Sequence, residues 1–256
     1  MSSTVVPFPS EQASSAASSN RSGRQNLTVS AAAIAAHARE CATRRRLIDA
    51  LECIENDDCD LGRISRFKQT MSDGAAHADL LDNATVAHAA AELIKPRRAL
   101  EIGVHRGFTS CAIAAAARDV ELHMMDSWRP IYSERPNPGP VLVRQQLLAA
   151  KHRGRPIFHQ GNSHELLPRL FATDPDLRFD IIVVDGDHTE HGADQDLRDT
   201  FPRVARGGVL IFDDLMHPAH RYLLNVWRRW ADQLAEEFSF AEYLDDGLGV
   251  GWAVRR

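Results

Sequence analysis

Four consecutive branched aliphatics, Ile181–Val184, are the pattern of a parallel strand covered on both faces. The run breaks off into Asp185-Gly186-Asp187-His188. GGVLIFDD, from Gly207 to Asp214, repeats the plan: glycines, a buried strand, then paired acids. Upstream, Ala99–Ile102 predicts a first strand, Gly103–Gly107 a glycine-bearing turn, and Thr109–Ala117 an alanine-rich helix. Glu121–Trp128 predicts a second strand ending at Asp126, and RPIFHQGNS a third. Helices expected near Val141–Lys151, His164–Phe171 and Glu190–Phe201 separate the strands, with a Pro-rich loop over Arg129–Pro140. Pro218–Glu237 reads as an amphipathic helix carrying Trp227 and Trp230. The remainder is two strands around Asp245-Asp246-Gly247, which has hairpin-turn chemistry. This alternation predicts an α/β fold: a doubly wound, Rossmann-like, mostly parallel seven-stranded sheet with an antiparallel C-terminal hairpin.

Ahead of this core the periodicity is helical. One helix is expected to begin at a Thr28 or Ser30 cap, with Ile34, Cys41, Leu47, Ile48, Leu51 and Ile54 along its apolar side. Within it, Arg44-Arg45-Arg46 reads as a solvated face. Asp60–Gly74 reads as an irregular polar connector placed to act as a lid, and Asp79–Lys95 as a helix stopped by Pro96. Residues 1–26 are rich in Ser, Ala, Pro, Gln and Asn and have little to bury, so a disordered tail is expected. The predicted division is a tail at 1–26, a helical extension at 27–96 and the sheet domain at 97–256.

Composition narrows the function classes. A chain of 256 residues with 44% hydrophobic and 25% charged content accommodates one α/β domain plus an extension. A formal net charge of -5 offers no reason to bind a nucleic-acid backbone. No apolar run approaches the ~18 residues that span a bilayer. No basic segment followed by an apolar core marks a secretory signal. The four cysteines lack C-x-x-C spacing and read as unpaired thiols of a reducing compartment. A cytoplasmic location without membrane contact is therefore expected, and the N-terminal helix is a candidate element for a homo-oligomer.

In an open parallel sheet, ligands sit at the carboxyl ends of the strands. Neighbouring strands would bring Asp185, Asp187, Asp213 and Asp214 to that rim. Crowded carboxylates repel unless protons or a cation neutralise them, and hard oxygen donors suit Mg²⁺, or Ca²⁺ or Mn²⁺. The plainer alternative is that Asp187 and Asp214 cap helices. His217 and His220 read as surface or hydrogen-bonded residues, and Trp227 and Trp230 as packing. The Gly103–Gly107 turn suits a dinucleotide or an adenosyl cofactor, with Asp126 placed for ribose hydroxyls. G-x-G-x-x-G is absent, and Glu101 would oppose a phosphate while favouring a sulfonium and an amino group.

ALEIGVHRGFTS, Asp126, QGNS, VVDGDH and GGVLIFDD together resemble class I S-adenosylmethionine-dependent methyltransferases. Within these the sequence is most similar to the macrocin O-methyltransferase branch, which methylates sugar hydroxyls in natural-product pathways. The resemblance implies that Glu101, Gly103, Gly107, Thr109 and Ser110 hold the methionine end of the cofactor. It implies ribose contacts from Asp126 with Ser127 and Trp128 beside it, and adenine contacts near Asn162 and Ser163. It further implies that Asp185, beside the cofactor, joins Asp213 and Asp214 as ligands of Mg²⁺, and that Asp187, or else His188, serves as the base. The implied activity is methyl transfer to a hydroxyl of a small molecule. Its rivals are a metal-independent N- or O-methyltransferase and a non-catalytic protein that binds an adenosyl ligand and a partner.

Overall fold

A computed structural model describes residues 29–72, 80–132, 135–245 and 247–256. The expected tail at 1–26, the alternative cap Thr28, the predicted helix start at Asp79 and Asp246 of the hairpin turn lie outside them. Four helices come first: α1 (Ala31–Arg39), α2 (Cys41–Leu51), α3 (Asp58–Ser72) and α4 (Asn83–Ile94). The next elements are β1 (Arg98–Ile102), α5 (Phe108–Ala116) and β2 (Glu121–Asp126). A small hairpin follows, of β3 (Ile131–Tyr132) and β4 (Arg135–Pro136), and then α6 (Gly139–Ala149). After it run β5 (Pro156–Gln160), α7 (Ser163–Thr173), β6 (Phe179–Val184) and α8 (Glu190–Thr200). The last elements are β7 (Val204–Asp213), α9 (Tyr222–Gln233), β8 (Phe238–Tyr243) and β9 (Val250–Arg255).

The seven-stranded sheet has the order β5-β2-β1-β6-β7-β9-β8. β1, β2, β5, β6 and β7 are parallel, while β9 runs antiparallel to both β7 and β8. The predicted C-terminal hairpin is present, with its last strand inserted next to β7 and β8 left at the edge. β1 pairs with β2 on one side and β6 on the other, so the winding reverses beside it, where an open α/β sheet forms its ligand crevice. Ile102 is level with Met125 and with Val184, which is level with Phe212. Gly103, Asp126, Asp185 and Asp213 consequently reach one edge together.

Strand alternation explains the unbroken apolar run of β6. Ile181 and Val183 face a layer containing α4 and α5, whereas Ile182 and Val184 face Leu197 and Trp227 of α8 and α9. Each fully buried aliphatic contributes about 1.5–3 kcal/mol, which offsets part of the ordering entropy.

The extension departs from the sequence reading at three places. The single helix expected after Ser30 is broken at Glu40, whose backbone is extended (ψ 128°). Ser30 does cap α1, accepting from the Ala33 N–H. The Arg44 of the expected solvated triplet is instead 2% exposed. Its guanidinium reaches back to the Ala38 carbonyl (3.0 Å) and across to Thr70 (2.7 Å) and the Leu80 carbonyl (3.0 Å), tying α1, α2 and α3 together. Arg44→Met should therefore cost about 3 kcal/mol in a denaturant melt, because buried acceptors lose a charged donor. Arg45→Met, on the exposed face, should stay within about 0.5 kcal/mol. The connector expected to be irregular is largely α3, which buries Ile64 and Phe67 at i, i+3. α4 starts at Asn83 because Asp82 and Thr85 form a reciprocal capping box.

Candidate active site at the carboxyl edge of the sheet

A cavity of about 920 Å³ opens over the carboxyl ends of β1, β2, β5, β6 and β7, with Asp57, Asp60 and Arg63 from the extension on its opposite wall. Of the expected cofactor residues, Gly103, Asp126, Ser127, Asn162, Ser163 and Asp185 line it. Glu101, Thr109, Ser110 and Trp128 are buried behind that lining. Gly107 is the N-cap of α5 and packs against Val143.

The turn after β1 is shaped by one close approach. Gly103 has φ +85°, and a Cβ there would lie 1.7 Å from the Asp185 carbonyl oxygen, so only glycine lets the end of β1 abut the end of β6. Asp126 is clamped from both sides, its carboxylate accepting from the His105 N–H (2.7 Å) and the Trp128 N–H (2.6 Å). His105 and Trp128 both have positive φ, as does Asp214, placing three of the five such non-glycine residues among the described ones around this cavity. A bare-backbone turn and a fixed carboxylate one strand over fit the amino-acid and ribose portions of an adenosyl cofactor. Glu101, beneath the turn, is 3% exposed. Burial pushes its carboxyl up to about 8 against the pull of the Ser110 hydroxyl, which donates to it, and Asp185 and Asp126 add to the rise. A cationic ligand group nearby would relieve that frustration.

The acid rim is equally crowded. Burial, then the charges of Asp185 and Asp214, hold Asp213 well above the usual carboxylate range. Burial and Asp185 push Asp214 up to about 6. Asp185, His188 and Asp214 each offer a ligand atom, and these lie within 4.8 Å of one another. His188 Nε2 is 3.2 Å from Asp185 Oδ1 and 3.3 Å from Asp214 Oδ2. Burial works to lower the His188 pKa, but the hydrogen bond to Asp185 and the surrounding charges outweigh it and raise it. Asp213 instead turns Oδ2 towards Asn83. Oxygen donors that repel one another unless neutralised fit a hard divalent cation.

Asp187 stands slightly apart. Its Oδ1 accepts from the Thr189 N–H (2.9 Å), while Thr189, not Asp187, is the cap of α8. Asp214 caps no helix, since α9 begins only at Tyr222. Beneath Asp187, His164 Nε2 lies 3.9 Å from its Oδ2 and 3.4 Å from Oδ1 of the fully buried Asp196. His220 stacks on His217 and on His188 and contacts the Tyr222 hydroxyl, as a hydrogen-bonded surface residue would. Trp227 is core, and Trp230 donates to Asp194.

Sequence reasoning missed Asp57, Asp60, Arg63 and Asn83. Asp60 is held above the usual carboxylate range by burial and by Asp57. Asn83 bridges Asp185 and Asp213. The Asp82-x-x-Thr85 capping signal was available to fix the start of α4, and would have put Asn83 in its first turn.

The sheet order is that of the Rossmann-like methyltransferase fold. Residues 100–215 match the family described as "Methyltransferase domain". TomG, a Streptomyces achromogenes O-methyltransferase involved in tomaymycin synthesis and solved with S-adenosylmethionine, superposes with a TM-score of 0.54 at 20% identity over 79% of this chain and 91% of its own. CalS11, a TDP-rhamnose 3'-O-methyltransferase of calicheamicin biosynthesis, gives 0.52 at 18% identity over 84% and 93%. The protein y4gI of Sinorhizobium fredii is 28% identical over 173 residues, 61% of this chain, and the chain spans 17% of that relative's length. Residues 100 to 215 thus match a methyltransferase-domain family, and the chain has the fold of these S-adenosylmethionine-dependent O-methyltransferases. No helix among the described residues is long and apolar enough to cross a membrane.

Proposed function

We propose that this chain transfers a methyl group from S-adenosylmethionine to a hydroxyl of a small molecule, a sugar or other secondary metabolite, with a divalent cation, Mg²⁺ first, orienting the acceptor. One observation carries the reading: the glycine turn that suits the cofactor packs directly on Asp185, so cofactor wall and acid rim face one cavity. The named functions of TomG and CalS11 lend support from the same fold. The macrocin-like assignment of the acceptor is part of this proposal.

When bound, the cofactor supplies an already activated methyl sulfonium, and the cation lowers the acceptor hydroxyl's pKa. Asp126 accepts from the ribose hydroxyls. Asn162 spends its oxygen on the His164 N–H at the start of α7 (3.0 Å), which leaves its NH₂ as the group suited to an adenine ring nitrogen. Asp185, Asp213 and Asp214 would hold the cation. Asp187, with a side chain 37% exposed, takes the hydroxyl proton. A second reading dispenses with the metal. His188 already sits between Asp185 and Asp214, where a cation would, and could serve as the base in its neutral form.

Titration of S-adenosylhomocysteine by calorimetry, with Mg²⁺ and with EDTA, is the first test. Binding is expected in both conditions, with transfer to a panel of hydroxylated acceptors lost in EDTA and in Asp213→Ala. Failure to bind the nucleoside at all would sink the cofactor assignment. Turnover indifferent to both EDTA and Asp213→Ala would establish the metal-free reading.

A further inference from the structure

We propose that Asn83, carried by the N-terminal extension, is a positioning residue that holds Asp185 and Asp213 together in the arrangement a divalent cation requires. The inference rests on the metal reading above and adds a component from outside the sheet.

Asn83 is the first residue of α4 and is 2% exposed. Its Nδ2 donates to Asp185 Oδ2 (3.1 Å) and to Asp213 Oδ2, so one NH₂ group spans carboxylates delivered by two different strands. Its Oδ1 accepts from Arg63 Nη2 (2.7 Å). The opposite amide orientation would set oxygen against two carboxylates and NH₂ against a guanidinium, so the surroundings admit one orientation only. Arg63 is fixed in turn. It donates twice to Asp82 Oδ2 (3.0 and 2.8 Å) and lies over the Phe108 ring, 4.2 Å from its centroid. Asp82 is locked by the α4 capping box.

The choice of an amide has a physical reason. Two carboxylates in a buried site drift apart unless something bridges them. A lysine or arginine bridging them would also neutralise them and take the cation's place. Asn83 supplies two N–H donors and no charge, so it sets the spacing while leaving the negative charge available. Asp185 Oδ1 remains on the side facing His188 and Asp214, away from Asn83. Groups that orient metal ligands in this way are typically worth about 10- to 100-fold in metal affinity.

The test measures Mn²⁺ binding by electron paramagnetic resonance and calorimetry, in wild type, Asp213→Ala, Asn83→Ala and the volume-conserving Asn83→Leu. S-adenosylhomocysteine binding is measured on the same samples. The expected result is Mn²⁺ affinity reduced about 10- to 100-fold in both Asn83 variants, with nucleoside affinity near that of wild type. If wild type and Asp213→Ala differ as the metal reading requires while both Asn83 variants bind Mn²⁺ like wild type, the positioning role is refuted and the metal site stands. If wild type itself takes no Mn²⁺, the metal reading falls and this proposal with it. Loss of nucleoside binding in parallel with Mn²⁺ in both variants would make Asn83 a general fold residue and likewise overturn it.

Discussion

Gly103→Ala should abolish S-adenosylhomocysteine binding and destabilise the fold by about 3 kcal/mol or more. Two costs add. At φ +85° a Cβ is strained by roughly 1–2 kcal/mol. The larger cost is steric: the new carbon would sit 1.7 Å from the Asp185 carbonyl oxygen and 2.4 Å from its carbon. Both are backbone atoms, so no rotamer change relieves the clash. The turn would have to leave the end of β6, breaking the bond from the Asp185 N–H to the Ile102 carbonyl (2.9 Å) and that from the Gly103 N–H to Met125 (2.9 Å). The cavity wall is made of those atoms. Gly207→Ala is the control: φ is +73° but the space around its Cβ is open, so a melt should show only the strain of about 1 kcal/mol, with nucleoside binding intact. A Gly103→Ala protein that melts and binds like wild type would mean that the close approach to β6 does not build the site.

The parts of this molecule differ in how far the sequence exposes them, and contact range is the reason. β6 was legible because a strand buried on both faces must be apolar at every position, and Asp185 ending that run could only emerge at its edge. The glycine turn was legible for the same local reason. α3 was not, because charged residues interrupt the apolar spacing that Ile64 and Phe67 mark. Arg44 looks like its two neighbours in the chain, and only packing of α2 against α1 and α3 makes it a buried cross-link. Asn83 is hidden most deeply. It lies 130 residues from Asp213, and nothing in a helical first turn announces that its amide will meet two strand ends. The acids of the rim were thus readable, whereas the groups that hold them in place depend on tertiary packing.

Glu101→Gln should remove a pH dependence from both stability and cofactor binding. With its carboxyl pushed up to about 8 by burial, Glu101 keeps a proton at neutral pH in the folded protein and loses it near 4.5 when unfolded. Between those values the folded state binds more protons than the unfolded one, so the stability contributed by this group falls as pH rises, levelling off above about 8. At 1.36 kcal/mol per unit, the full excursion is on the order of 5 kcal/mol for this fully buried side chain. Glutamine resembles the protonated acid and does not titrate. The Glu101→Gln melting temperature should therefore match wild type near pH 5 and exceed it near pH 8.5. Binding should show the opposite preference. A ligand ammonium favours the carboxylate, so wild-type affinity for S-adenosylhomocysteine should climb with pH up to about 8. That binding should release a proton, detectable in buffers of different ionisation heat. The glutamine variant should bind more weakly, with that pH dependence and proton release removed. Parallel affinity curves for the two proteins would show that Glu101 never meets the cofactor's charge. Its burial would then be a cost to the fold with no return in binding, and the electrostatic case for a sulfonium-type ligand over a phosphate would rest on the acid rim alone.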